Sequence, residues 1–154
     1  MSDDLIETID GGVATLTMNR PDARNAMTSA MMEKMHEALP RLAADRSVRC
    51  LVLTGAGEAF CAGGDVKSFA SAATKNKDSQ SSQFDLEGRT LGLRVGMELS
   101  RLLHEMPKPT LAAIPGPAAG GGLSLALACD LRIATDTAKP VSYTHLTLPT
   151  NREV

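Results

Sequence analysis

Hydrophobic positions change their period several times along the chain, and each change predicts an element. Leu5 to Ile9 and Val13 to Met18 flank Asp10-Gly11-Gly12. Asp-Gly supplies a positive-φ turn, so the pattern predicts a β-hairpin. In the second arm Ala14, Leu16 and Met18 share one face, and Val13, Thr15 and Thr17 the other. Asn19-Arg20-Pro21-Asp22 ends that arm in a loop. The period then becomes helical. Met31, Met32, Met35, Ala38, Leu39 and Leu42 make an apolar stripe on a helix capped by Thr28 or Ser29 and running to about Ala44. Pro40 lies inside it and predicts a kink.

Arg49 to Thr54 has a continuous apolar centre, the pattern of a strand buried on both faces. Gly55 to Asp65 reads as a loop, and Val66 opens a short helical piece with Asp65 as its cap. Ser71 to Gln83 is polar and nearly free of large apolar groups, which predicts a mobile loop. Leu91 to Met106 is a second amphipathic helix, stopped by Pro107 and Pro109. Thr110 to Ile114 is a strand. Leu123 to Cys129 reads as a helix apolar all round and therefore buried, and Asp130 to Ala134 as a returning strand. Strands alternate with helices, so the fold class is α/β.

Composition narrows the function classes. The 154 residues suit one domain, and aromatics make up 3% of them, so the core is aliphatic and rich in methionine. With no Trp and one Tyr, stacking on nucleobases has little to work with. A net charge of −2 without a basic stripe argues against a nucleic-acid partner. Cys50, Cys61 and Cys129 form no CxxC pair, so neither a disulfide framework nor a metal site is expected. The acidic start MSDDLIETID lacks an apolar signal region, and no run reaches membrane-spanning length. These observations predict a cytoplasmic protein with no membrane partner.

Two glycine-bearing loops carry the candidate chemistry. GAGEAFCAGGD follows one strand; GPAAGGGLS follows another and opens a helix. Glycine lets a backbone N–H approach a ligand with no Cβ in the way. A helix start adds unpaired N–H groups and a partial positive charge. One N–H from each loop would converge on a single anionic oxygen, the arrangement of an oxyanion hole. The alternative is that the glycines only permit tight helix–sheet packing. Other motifs fit less well. Gly55-Ala56-Gly57 lacks the third glycine of a dinucleotide fingerprint, because Phe60 stands there. No Gly-Lys-Ser/Thr is present for a P-loop. Ser124 lies in GLSLA rather than in a GxSxG elbow. Cys61 reads as a small packed side chain. His36 and His104 lie on amphipathic helices, facing solvent.

LTMNRPDARNAM, LVLTGAGEAFCAGGDV and PGPAAGGGLSLALACDLRIA together resemble the enoyl-CoA hydratase/isomerase, or crotonase, family. The resemblance covers residues 5 to about 139. It implies a crotonase-like spiral of β-β-α turns, here incomplete, and an acyl-CoA thioester as substrate, with coenzyme A entering only as part of it. It implies a homotrimer or hexamer at full length. It places the thioester oxygen between the amides of Ala62 and Gly121. It assigns the coenzyme A channel to Arg24 and Ala26 and to Ala62-Gly63-Gly64-Asp65, although an exposed surface arginine is an equal reading of Arg24.

The sequence departs from the family in two places. The resemblance implies a glutamate three residues after the middle glycine, where Ser124 stands; serine cannot act as a carboxylate base. A second acid is implied about twenty residues further on, where none occurs. The two-glutamate hydratase mechanism is therefore not supported, and an isomerase-type enzyme is the preferred expectation. Asp65 and Asp130, the nearest acids, read as loop holders. A non-catalytic acyl-CoA-binding or assembly protein is the alternative, and a hydrolase using Ser124 or Cys61 is a third. From Pro140 the chain reads PVSYTHLTLPTNREV, which breaks the preceding pattern and resembles translated adapter read-through. The expected organisation is thus a partial acyl-CoA domain over 1–139 and a non-native tail over 140–154, a natural extension being the other reading. Little or no turnover is expected of such a shortened chain.

Overall fold

The structure is a computed structural model that describes residues 3–65, 94 and 96–141. The hairpin forms from β1 (Leu5–Asp10) and β2 (Val13–Met18), antiparallel, with Asp10 opposite Val13. Its two-residue turn is Gly11 and Gly12, at φ 54° and 85°. Asp10 closes the strand, so the left-handed turn rests on the Gly-Gly pair. Helix α1 (Ser29–Ala44) follows, its start capped by Thr28, whose hydroxyl accepts from the Met31 amide at 3.1 Å. Met31, Met35, Ala38, Leu39 and Leu42 are its buried stripe. Burying each large side chain among them is worth about 1.5–3 kcal/mol. The helix continues through Pro40, which sits on its exposed side.

Strand β3 (Cys50–Gly55) lies parallel to β2, and β4 (Thr110–Ile114) parallel to β3. Before β4 comes α2, a helix over 96–104 that buries Leu99 and Leu103. After β4 come the short β5 (Ala118–Ala119), α3 (Gly121–Ala128), β6 (Leu131–Ala134) and β7 (Pro140–Val141). The main sheet has the order β1-β2-β3-β4-β6; β5 and β7 form a separate parallel pair. Thus the first two residues of the tail pair with Ala118 and Ala119, and 142–154 lie outside the described residues. The short helical piece from Val66 and the polar loop over 71–83 lie outside them too.

One face of the sheet is the core face. Leu5, Ala14, Leu16, Met18, Leu51, Leu53, Ala112 and Ile114 cluster there with the α1 stripe, Leu99 and Leu103. The apolar centre of β3 implied burial on both faces. The structure buries only Leu51, Leu53 and Gly55, while Cys50, Val52 and Thr54 stay half-buried on the other side. Helix α3 departs from its pattern in the same way. It buries Gly122, Leu125 and Ala126 but leaves Leu127 61% exposed. All four residues of β6 are exposed. An apolar run of about eight residues cannot by itself say how many of its sides are covered.

Candidate active site

The two glycine loops meet. The loop after β3 and the segment after β4 are stitched by backbone hydrogen bonds: the Phe60 amide to the Pro117 carbonyl at 3.0 Å, and the Ala119 amide to the Cys61 carbonyl at 2.9 Å. Their approach is close enough to exclude side chains. A Cβ on Gly116 would lie 1.9 Å from the Glu58 carbonyl oxygen. A Cβ on Gly122 would lie 2.5 Å from both the Cβ and the carbonyl oxygen of Cys61. The packing reading of the glycines therefore holds for these two positions. Gly120 has a different reason, a backbone at φ 51°, ψ −125° immediately before the helix.

At Gly121 the constraint is weak, because a Cβ there would meet only the terminal methyl of Met27, at 2.8 Å. Gly121 is the first residue of α3, and the first amides of a helix have no partner within it. Among the described residues nothing accepts from the Gly121 amide. The amide faces the first loop closely: a Cβ on Gly63 would stand 3.4 Å from the Gly121 nitrogen and 3.0 Å from the Ala119 carbonyl oxygen. Gly63 itself has φ 91°.

The amides of the first loop divide sharply. Cys61 donates to Pro117 at 3.3 Å, Ala62 to the Arg24 carbonyl at 2.9 Å, and Asp65 to the Met27 carbonyl at 3.1 Å. Gly63 donates to the Cys61 sulfur at 3.4 Å. The Gly64 amide donates to no acceptor among the described residues. The sequence expectation had given the donor role to Ala62. The structure commits that hydrogen to Arg24, where it ties two loops together, and leaves the amide two residues on without an acceptor.

The loop over 20–27 holds this arrangement from below. Arg24 and Asn25 both take left-handed conformations, at φ 48° and 56°. Such backbone costs roughly 1–2 kcal/mol per non-glycine residue. Asn25 offsets it. Its side chain is fully buried and makes three hydrogen bonds: its amide donates to the carbonyls of Ala56 at 2.9 Å and Ala59 at 2.7 Å, and its oxygen accepts from the Arg20 backbone at 2.8 Å. Neither Asn25 nor Arg20 was singled out from the sequence, although an asparagine just past an Arg-Pro turn is a recognisable left-handed candidate. The Arg20 guanidinium donates to the Ala26 carbonyl at 2.7 Å and to the Asp65 carboxylate at 3.1 Å. Ala26 thus serves through its carbonyl. The exposed Arg24 guanidinium has no partner among the described residues.

The remaining candidates are placed as follows. Ser124 is exposed, and its hydroxyl donates to the Gly120 carbonyl at 3.3 Å, one turn back. Cys61 donates its thiol to the Asn25 carbonyl at 3.1 Å, and burial pushes that thiol up to about 11. Such a sulfur is not a thiolate nucleophile at neutral pH. Asp130 accepts from the Thr110 amide and hydroxyl at 2.8 and 2.9 Å, and these bonds hold its carboxyl below the usual carboxylate value. An acid held that way resists protonation and makes a poor general base near pH 7. No group of three or more potential metal ligands exists among the described residues, and no described helix is long and apolar enough to cross a membrane.

Comparison with known proteins gives the family. The family model for enoyl-CoA hydratase/isomerase matches residues 8–148. A Bacillus subtilis protein named for enoyl-CoA hydratase/isomerase, YngF, is 41% identical over 140 residues, which is 90% of this chain and 49% of that protein. The 1,2-epoxyphenylacetyl-CoA isomerase of Escherichia coli is 38% identical over 139 residues, covering 90% of this chain and 50% of that one. The crystal structure of an enoyl-CoA hydratase/isomerase from Xanthobacter autotrophicus Py2 superposes with a TM-score of 0.81 at 31% identity, over 92% of this chain and 49% of that one. The chain therefore spans about half the length of the relatives it matches. Its sheet order, its stitched glycine loops and its likeness to crotonase-fold enzymes have one reading: the chain belongs to the enoyl-CoA hydratase/isomerase family.

Proposed function

We propose that this chain carries the thioester-gripping part of an acyl-CoA enzyme, with the amides of Gly64 and Gly121 as the donors to the thioester oxygen. One observation carries the reading. The unpaired helix-start amide of Gly121 lies against the Gly63 backbone, and the amide of the next residue, Gly64, has no acceptor among the described residues. Removal of the α-proton of an acyl-CoA moves charge onto its carbonyl oxygen. Two donors fixed in advance stabilise that enolate; losing one such donor commonly costs about 2.7–4 kcal/mol of barrier. The exposed Arg24 guanidinium, beside the same loop, would take a phosphate of coenzyme A. Isomerisation is preferred over two-carboxylate hydration, since Ser124 stands in the implied place of one acid and Asp130 is tied to Thr110. At full length the family assembly, a trimer or a dimer of trimers, belongs to the same proposal, as does a cytoplasmic setting.

A second reading has its own observation. Asp65 is bound by Arg20 and Asp130 by Thr110, so neither of these two acids stands as an idle base. On that reading the chain binds acyl-CoA without turnover. Crotonyl-CoA and a 3-enoyl-CoA, each incubated with the protein and followed by ultraviolet absorbance and mass spectrometry, separate the outcomes. Double-bond migration supports the isomerase reading, and hydration overturns the preference for isomerisation. Binding without conversion supports the second reading. No preference for the acyl thioester over its thioether analogue, which lacks the carbonyl, refutes both.

A further inference from the structure

We infer that Arg20, itself gripped by Asn25, is the positioning residue that fixes the Gly64 donor; this rests on the donor pair proposed above. Gly64 has no side chain, and its own amide bonds to nothing described, so its place is set by its neighbours. On one side Ala62 is tied to Arg24, and Gly63 accepts from the Met27 amide at 2.8 Å. On the other side Asp65 is held through both its backbone and its side chain. Its amide donates to Met27, and its carboxylate accepts from Arg20.

Two side chains among the described residues span both segments. The Cys61 thiol donates to the Asn25 carbonyl and accepts from the Gly63 amide, before the donor; Arg20 acts on the residue after it. The same nitrogen, Nη1, donates to the Ala26 carbonyl at 2.7 Å and to Asp65 Oδ2 at 3.1 Å. That single nitrogen pins the carboxylate of the residue after Gly64 to the turn over 24–27. The side chain of Arg20 is 25% exposed and that of Asp65 14%, so the pair is partly shielded from solvent. The Arg20 backbone cannot drift, because its N–H is held by the buried oxygen of Asn25. A lysine could keep the charge opposite Asp65, but its flexible point charge would not reproduce the planar, fixed guanidinium. The effect on the thioester oxygen is indirect, since nothing places Arg20 at the oxygen itself. A small misplacement of an oxyanion donor is nonetheless costly, because such donors act through a preset geometry.

The test compares wild type with Arg20→Gln and Arg20→Lys. Two quantities are read: the affinity ratio of an acyl-CoA thioester to its thioether analogue, and the hydrogen-exchange rate of the Asp65 amide. The expected result is a thioester preference that falls at least tenfold in Arg20→Gln and by less in Arg20→Lys. Affinity for free coenzyme A should stay within threefold, and Asp65 exchange should quicken at least tenfold. A purely structural role would lower all ligand affinities together and leave the ratio unchanged, which would overturn the inference. Unchanged Asp65 exchange in both variants would also overturn it, whatever the ligands do. If wild type shows no thioester preference, the donor-pair reading fails; quickened exchange would then still support the clasp, and unchanged exchange would overturn it.

Discussion

Replacing Gly122 with alanine is the sharpest test of how the two loops meet. The added methyl would stand 2.5 Å from the Cys61 Cβ, 2.5 Å from its carbonyl oxygen and 2.8 Å from its sulfur. Carbon–carbon contacts settle near about 3.5–4.0 Å, so something must move by roughly 1 Å. The sulfur could rotate away, but the Cβ and the oxygen cannot. That oxygen also accepts the Ala119 amide at 2.9 Å, so displacing it strains the bond that joins the loops. Overpacking of this kind costs about 1–3 kcal/mol, and the weakened hydrogen bond adds about 1. The better helix propensity of alanine returns about 1. The net loss is about 1–3 kcal/mol, or roughly 2–12 °C in melting temperature for a chain of this size. Gly121→Ala is the control, since its methyl meets only the mobile end of Met27. It should unfold within about 0.5–1 kcal/mol of wild type while losing preference for the thioester. Urea unfolding at constant m-value measures both variants. A Gly122→Ala protein as stable as wild type, or less affected than Gly121→Ala, would refute the close approach. Pairing Gly122→Ala with Cys61→Ala should rescue little, because the Cβ and the carbonyl remain.

Three further outcomes follow from the same contacts. Cys61 and Cys129 are buried and pushed up to about 11, whereas Cys50 is half-buried, so a thiol reagent at pH 8 should label one sulfur quickly and two only as the chain unfolds; quick labelling of Cys61 under native conditions would contradict the burial. Asn25→Ala leaves the carbonyls of Ala56 and Ala59 and the Arg20 amide without their partner. It should cost about 2–4 kcal/mol in urea unfolding, with Asn25→Asp at least as damaging because a carboxylate would face two carbonyl oxygens; a loss under about 1 kcal/mol would show that water replaces the side chain. Asp130 is held below its ordinary value by Thr110, so its contribution is present above the unfolded carboxylate pKa of about 3.9 and disappears as pH falls through the lower folded value. The stability difference between wild type and Asp130→Asn should stay constant from neutral pH to pH 5 and shrink below pH 4; a difference that grows on acidification would reverse the sign of the argument.

Much of the fold was legible because its signals are local. Alternation in Ala14-Thr15-Leu16-Thr17-Met18 names one buried face, and the structure buries those three apolar residues completely. Thr28 before a helical stripe names a cap, and its hydroxyl makes that bond. The signal weakens where burial depends on what lies across a face. Cys50-Leu51-Val52-Leu53 is apolar on both faces and Leu123-Ser124-Leu125-Ala126-Leu127 is apolar but for Ser124, and each is covered on only some sides. Sequence records how much a segment would gain by burial. It does not record which neighbour supplies the cover. On the outward face of the sheet Val52 is flanked by Thr15 and Leu111, and beyond these, at the edge strand, Leu131 remains 61% exposed.

The site was legible to a different depth. Glycine content pointed to the two loops and to a helix start, and the structure stitches those loops together through Cys61 and Ala119. Which amide remains to meet a ligand is another matter. Every residue from 61 to 65 carries the same N–H, and side-chain identity says nothing about where each points. The register of the loop over 20–27 decides it. Arg24 takes the Ala62 hydrogen, Met27 takes that of Asp65, and Gly64 falls between two taken positions. That register depends in turn on two successive left-handed residues, held by one buried asparagine. Which amide stays without an acceptor among the described residues is therefore specified some forty residues before it occurs. A reading that weighs each loop by its own glycines cannot see which amide a distant carbonyl has already claimed, as the Arg24 carbonyl claims that of Ala62.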